Sequence, residues 1–415
     1  MTSPANSWLT TPTHLDWLDE HARSLLAFGS GFVSPQGGAG WLTDDGTLDA
    51  ERGVFTWITC RMAHVYGLGA LLGVPGDRPL AQAALDALRG RLHDDVHGGW
   101  FASVAADGTV DTTKSGYAHA FVVLAASTGV VAGLDGAREL LDDALDVLDT
   151  RFFDAETGLH VDEWDESWST LDPYRGVNGN MHAVEALLAA ADVTGDARWR
   201  ERALGIARYV GVEWAPGNGW RIPEHFDEAW VPQPDLNEAT PDDPFKPYGA
   251  TVGHGIEWAR LFLNLSAGLG ADAPDWLVPA AQELYARAVA DGWRESTPGA
   301  HGFVYTTGWD GEPVVETRMH WVAAEAVGAA ASLFKATGEA RYAADYERWW
   351  DHVAAVFLDG EHGSWHHELD ATNTPTAKVW PGKPDIYHAF QATLFPQLPL
   401  APSLSVALRD GLLRS

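Results

Sequence analysis

Tyr248-Gly-Ala-Thr-Val-Gly-His254-Gly-Ile-Glu257-Trp258 reads as the start of a helix with two polar side chains on one face. Thr251 and Gly253 mark the helix start, and Ile256, Ala259, Arg260, Leu261 and Leu263 continue it as an amphipathic helix. His254 and Glu257 are three apart and share a face of its first turns. A histidine there feels the positive end of the helix dipole, which disfavours imidazolium and keeps a neutral base near pH 7. The flanking Gly253 and Gly255 are expected to leave room for a ligand. A lone histidine of this kind is equally well explained as a helix cap. The rest of the chain supplies company for it.

Helical patterns cover about 14–28, 52–72, 80–92, 137–152, 197–214, 274–292 and 340–357. Further helices start near Gly116, Asn178, Thr251, Arg318 and Lys383, and residues 396–415 read as a tail. Short hairpins are predicted after His97, between Glu156 and Ser169, after Gly302 and from Gly363 to Ala377. The long connection 215–246 holds too many prolines for a helix. These patterns make twelve helices in six pairs. Polar and aromatic clusters fall on every second helix. With Arg61, Tyr117, His182, His254, Trp321 and His388 as markers, the gaps are 56, 65, 72, 67 and 67 residues. Recurrence of one unit at this period signals a repeat architecture. The expected fold is all-α: an (α/α)6 barrel of six helical hairpins with short β-hairpins in the loops at one end, forming a single domain over residues 1–415. Closure into a ring is an expectation; an open superhelix has the same periodicity.

The chain has 415 residues, 46% hydrophobic and 20% charged, with a net charge of −31. That balance argues against nucleic-acid or anionic-membrane partners, whose recognition needs a basic patch. The single Cys60 excludes an internal disulfide framework, fits a reducing compartment, and reads as packing. The opening Met1-Thr-Ser-Pro-Ala-Asn-Ser-Trp8 has no basic region followed by an apolar run, so no signal peptide is expected. The apolar run 121–134 is interrupted by Ser127, Thr128 and Gly129 and is too short to span a bilayer. A cytoplasmic location follows as the expectation. Monomer and homo-oligomer are equally open.

Other inner-helix starts repeat the opening pattern. Asn178, His182 and Glu185 are spaced four and three apart; Trp321 and Glu325 four apart; Asp385, His388 and Gln391 three apart in succession. Trp57, Arg61 and His64 share a face of the second helix. Two neutral histidines across a sugar could move protons to and from carbon and ring oxygen. Arg61 is the candidate for the charge of an enediolate. Carboxylates at i+3 would orient a histidine or hold hydroxyls, and Trp57 and Trp321 could present rings to a sugar face.

Metal is the competing use of such clusters. The densest is Glu361-His-Gly-Ser-Trp-His366-His367-Glu368, which lacks the two-histidine helix spacing of zinc hydrolases and reads as a hairpin at the rim. No metal or cofactor is expected. The run Gly253-His-Gly255 lacks the lysine and preceding strand of a phosphate loop, and no serine nucleophile elbow is seen.

Five stretches carry a family resemblance: Thr59-Cys-Arg61-Met-Ala-His64-Val-Tyr66, Asn178-Gly-Asn180-Met-His182-Ala-Val-Glu185-Ala, Pro247-Tyr-Gly-Ala-Thr-Val-Gly-His254-Gly-Ile-Glu257-Trp258, Arg318-Met-His320-Trp321-Val-Ala-Ala-Glu325-Ala and Gly382-Lys-Pro-Asp385-Ile-Tyr-His388-Ala-Phe-Gln391. In these the chain resembles the N-acylglucosamine 2-epimerase superfamily, in its aldose–ketose isomerase branch. The resemblance implies a six-pair α/α barrel and metal-free proton transfer through a cis-enediol. It implies His254 and His388 as the acid/base pair, with Arg61, Tyr117, Asn178, His182, Glu257 and Trp321 contacting the sugar or supporting the pair. Trp57, Glu325, Asp385 and Gln391 complete the expected sugar-binding set. His388 is expected to shuttle the proton between C2 and C1 and His254 to assist ring opening; the reverse assignment stays open. Lys246 departs from the arginine expected before Pro-Tyr-Gly.

The implied reaction is interconversion of D-mannose and D-fructose, with D-lyxose and D-xylulose as a side pair. Within the class, sulfoquinovose isomerisation would need a cationic sulfonate pocket, for which Lys246 and Arg175 are the loop candidates. Sugar 2-epimerisation, of the N-acylglucosamine or cellobiose type, differs only in returning the proton to C2. A glycoside hydrolase would use two of Glu185, Glu257, Glu325 and Asp385 as its carboxylates, leaving the histidines without a role. A non-catalytic sugar-binding protein would leave them idle as well.

Overall fold

The computed structural model describes residues 7–414. Residues 1–6, the start of the segment read for a targeting signal, and Ser415 of the predicted tail lie outside the described residues. Thirteen α-helices are described: α1 (Pro12–Gly29), α2 (Thr56–Leu71), α3 (Asp77–Leu88), α4 (Gly116–Ala132), α5 (Ala137–Val147), α6 (Val177–Thr194), α7 (Arg198–Arg208), α8 (Val252–Leu269), α9 (Leu277–Gly292), α10 (His320–Thr337), α11 (Ala340–His352), α12 (Tyr387–Leu394) and α13 (Leu404–Arg409). The even-numbered helices form the inner ring. Each packs on its inner neighbours, and α12 returns to α2, so the ring closes. The outer layer is α3, α5, α7, α9 and α11, with α1 seated against α12. The fold is an (α/α)6 barrel, and an open superhelix is excluded.

Burial explains the two layers. Inner α4 is buried without a break from Ala118 to Gly129, as expected of a helix enclosed on all sides. Outer α5 buries Ala137, Leu140, Leu141, Ala144 and Leu145, a stripe at three- and four-residue spacing, and turns its acids to water. Three outer helices continue into single π turns, Leu148–Phe152, Tyr209–Trp214 and Val353–Phe357, which completes the helical spans predicted from the pattern.

Five inner helices are aimed by a two-residue strand directly before them. Val54–Phe55, Lys114–Ser115, Arg175–Gly176, Ala250–Thr251 and Arg318–Met319 each pair antiparallel with a strand from a following loop. The extended backbone therefore enters every one of these helices from the same end. The twelfth start differs from expectation. It lies at Tyr387 and not at Lys383, because Pro384 keeps residue 383 out of the helical region. The predicted tail is corrected too. Its Leu404, Ala407 and Leu408 sit at helical spacing, and α13 packs across α2, α4 and α6 at the end of the barrel away from those starts.

Two loops repeat one device. Lys114 Nζ donates to Asp94 Oδ2 at 2.7 Å and to the Gly98 carbonyl at 3.0 Å. Lys383 Nζ donates to Asp359 Oδ2 at 2.6 Å and to the Gly363 carbonyl at 2.7 Å. The second oxygens, Asp94 Oδ1 and Asp359 Oδ1, each accept two backbone amides. Both lysines are fully buried and each precedes an inner helix, so the pair ties a loop tip to a helix start. Removing one partner leaves an uncompensated buried charge. Asp94→Ala is therefore expected to lower the unfolding free energy by about 3–5 kcal/mol, read from urea denaturation.

Candidate active site

The inner-helix starts surround one cavity of about 740 Å³, including its open mouth. Ten of the twelve residues expected from the sequence line it: Trp57, Arg61, Tyr117, Asn178, His182, His254, Glu257, Trp321, Asp385 and His388. Glu325 and Gln391 do not. One helical turn carries a residue about 5.4 Å along the axis, and both lie a turn below Trp321 and His388, beneath the floor. Glu325 is 2% exposed and turned toward His388; Gln391, also 2% exposed, lines a second, small cavity with His64 and Arg260.

The two histidines are held alike. His388 Nδ1 lies 3.0 Å from Glu325 Oε1, and His254 Nδ1 lies 3.0 Å from Glu224 Oε2. A carboxylate only accepts, so Nδ1 is the donor in each of these bonds, and in a neutral ring that leaves Nε2 as the acceptor. The Trp321 ring stands beside both, with centroids 5.5 Å from His254 and 5.8 Å from His388. Gly253 makes room for that ring: a Cβ there would come within 2.2 Å of it. The glycine expected to admit a ligand instead admits a tryptophan, and Gly255 faces Ala288. Of the two uses expected for a carboxylate at i+3 from His254, Glu257 does not orient the ring, which Glu224 from the long connection does; Glu257 bonds Arg260 and lines the cavity. At His182 the i+3 expectation holds, with Nδ1 3.3 Å from Glu185 Oε2.

Arg61 enters from α2, which neighbours the helix of His388 in the ring. It donates to Asp385 Oδ2 at 3.2 Å and to the Tyr117 hydroxyl at 2.9 Å, and its guanidinium sits 4.8 Å from the Trp57 ring. Burial works against the Asp385 carboxylate, but Arg61 and the Tyr387 amide hold it below the usual range. Burial lowers His388 from its ordinary value, against the pull of Glu325. It takes His182 down to about 4 and His320 to about 3.

A polar layer lies beneath the cavity. Arg260 donates from Nε to Glu325 Oε2 at 2.7 Å and from Nη2 to Glu257 Oε1 at 3.2 Å. Glu185 accepts the Tyr387 hydroxyl at 2.6 Å. Burial would raise Glu325, but Arg260 and His388 outweigh it and hold the carboxylate low. Burial and the adjacent Glu325 push Glu257 well above its ordinary value. Among the described residues, His182, Glu185 and Glu257 are the one group of three metal-competent side chains whose ligand atoms lie within 4.8 Å. All three are engaged by the bonds just given or, for His182, by Glu185.

Sequence reasoning passed over several lining residues. His320 and His367 stack at 3.7 Å between centroids, both on the cavity. In the hairpin read as rim, His366 is half-buried while His367 is buried against the cavity. Glu224, which bonds His254 from behind, and the lining residues Pro244, Phe245, Pro247, Tyr305, Trp380 and Pro384 come from loops without helical periodicity. Phe245 and Trp380 meet edge to face at 5.3 Å over the mouth and also line an adjoining outer groove. Lys246 lies on that groove with its ammonium over Tyr174 at 4.1 Å; Arg175 bonds backbone carbonyls.

Comparison with known proteins places this geometry. The profile of the N-acylglucosamine 2-epimerase (GlcNAc 2-epimerase) family matches residues 37–392.

The chain belongs to the N-acylglucosamine 2-epimerase family.

Within it, the chain is 51% identical to a D-mannose isomerase of Thermobifida fusca, over 97% of this chain and 98% of the relative. It is 46% identical to a D-mannose isomerase of Pseudomonas cannabina pv. alisalensis, over 97% of each. A crystal structure of a D-mannose isomerase superposes with a TM-score of 0.86 at 28% identity, covering 95% of this chain and 99% of that one. No helix among the described residues is long and apolar enough to cross a membrane.

The buried histidines of this family member have a consequence for stability. His182 and His320 are neutral in the fold but take up a proton in the unfolded chain below about pH 6.5. The unfolded state then binds more protons, so stability rises with pH across that range. It is lost as pH falls from about 6.5 toward about 4 and 3, the values in the fold. The expected Tm, followed by circular dichroism, is flat above pH 7 and falls steeply between pH 6.5 and 4.

Proposed function

We propose that this chain is an aldose–ketose isomerase interconverting D-mannose and D-fructose, with D-lyxose and D-xylulose as a side pair. The observation that carries the reading is the matched pair of histidines. Each has its Nδ1 on a buried carboxylate, each presents Nε2 to the same cavity, and Arg61 lines that cavity with them. The family and its named D-mannose isomerase relatives select the sugar and the outcome.

In the proposed sequence His254 takes the O1 proton of the cyclic sugar and returns it to O5 as the C1–O5 bond breaks. His388 then removes the C2 proton from the open aldose. The electron pair moves into a C1–C2 double bond, and the carbonyl oxygen becomes the negative O1 of a cis-enediolate. Arg61 faces that charge. The C2 hydroxyl proton passes to O1, and His388 returns its proton to C1, leaving a carbonyl at C2. His388 is assigned to carbon because it stands within the field of Arg61, where the developing charge must be stabilised. Trp57, Tyr117, Asn178, His182, Glu257, Trp321 and Asp385 would bind the sugar, and no metal takes part. The partner is a free monosaccharide, and Cys60 as the one cysteine fits a cytoplasmic place of action.

Incubation with D-mannose in the presence of EDTA is expected to yield D-fructose, identified by chromatography. Glucose as the product would make the chain an epimerase, and loss of activity to chelator would make it a metalloenzyme. His388→Ala and His254→Ala are each expected to lower kcat by about 10²–10⁴-fold with the circular dichroism spectrum retained. The acid limb of kcat/KM is expected below about pH 6.5, because the working form of His388 is the neutral base and burial lowers its pKa.

A further inference from the structure

We propose that Arg260 is a positioning residue: its fork holds Glu325 as the carboxylate and leaves the shared proton on Glu257, and this fixes His388 with its lone pair toward the sugar. The inference rests on the reading of His388 as the base.

Arg260 does not line the cavity and is 2% exposed. It lies on α8, three residues after Glu257, one turn deeper into the barrel. Three carboxylates meet beneath the site. Glu185 is served by the Tyr387 hydroxyl and His182. Among the described residues, Arg260 is the one arginine or lysine bonded to Glu325 and Glu257, and two buried anions against a single cation are costly. The pair therefore carries one proton between them. Geometry chooses its place. Glu325 accepts two bonds, from Arg260 Nε at 2.7 Å and from His388 Nδ1 at 3.0 Å. Glu257 accepts one, at 3.2 Å. Charge-assisted bonds are worth most to the ionised partner, so the proton rests on Glu257, which faces the cavity.

The guanidinium has little freedom to do otherwise. Nη1 reaches Asn264 Oδ1 at 3.4 Å, and the Phe395 ring lies 4.5 Å from its central carbon. The other charged or titratable groups facing His388 are Arg61 from α2, His182 from α6, His320 from α10, and His367 and Asp385 from loops. None of them bonds to Glu325. Without Arg260, burial protonates Glu325 as well. A neutral carboxyl can donate to His388 Nδ1, which drives the imidazole proton to Nε2 and takes the lone pair out of the cavity.

The test uses the full-length protein labelled with ¹⁵N-histidine, with the His388 resonances assigned by their loss in His388→Asn. In the unsubstituted protein at pH 7.5, Nε2 is expected to be unprotonated. In Arg260→Met it is expected to carry the proton, with kcat on D-mannose lowered about 100-fold and KM within about threefold. Arg260→Lys supplies the charge without the fork and is expected to fall between the two. If Arg260→Met does not fold, Arg260→Lys decides: a lowered kcat with partial protonation at Nε2 supports the inference. An unchanged tautomer in either folded variant overturns it, as does a change confined to KM. Retained turnover in His388→Asn would instead overturn the reading of His388 as base, while the spectra would still judge Arg260.

Discussion

An imidazole in a cavity presents a fixed lone pair to it when something outside the cavity holds its other nitrogen. Burial lowers His388 toward its neutral form, but a neutral ring still has two tautomers, and one of them points its proton into the cavity. Here Glu224 and Glu325 settle the choice for His254 and His388, each at 3.0 Å. Those carboxylates then need support of their own. Arg260 supplies it for Glu325, and the price is a layer of buried acids and one arginine beneath the floor.

The barrel is what makes that layer affordable in structural terms. Helices α6, α8 and α10 carry cavity-lining residues at their starts and, deeper in, Glu185, Arg260 and Glu325 of that layer, so His388 takes its carboxylate from the neighbouring helix of the ring. His388 starts α12 while its partner Glu325 sits a turn deep in α10. The close fit of small residues allows this depth. Gly253 lets Trp321 lie against the start of α8, and that ring then separates the two histidines by contact with both.

The ring of helices was legible because its signal is periodic. Markers recurring about every 65 residues need six equivalent positions, and Arg61, Tyr117, His182, His254, Trp321 and His388 occupy them. Ten of the expected site residues follow from that pattern together with the family resemblance. Depth was not legible. A three- or four-residue step identifies a shared face but not which side of the cavity floor a residue lies on, and so Glu325 and Gln391 were placed too high. Loop residues were lost for a different reason. Glu224, Phe245 and Trp380 reach the site through turns whose geometry is set by tertiary contacts, and no local repeat announces them. The short α13 was missed because six residues carry too little periodicity to stand out from a tail.

The seating of α1 on α12 has a consequence for how the molecule comes into being. The outer partner of the last inner helix is the first described α-helix, so residues 12–29, which also touch Tyr66 and Met62 of α2, wait for residues 387–394 before their apolar face is fully covered. During synthesis the growing chain can stack hairpin upon hairpin, but it remains an open arc with one orphaned helix. His388 and the wall that carries it are translated after the helix that carries His254. The cavity therefore has no partial form: the ring and its paired histidines are completed in the same closing step.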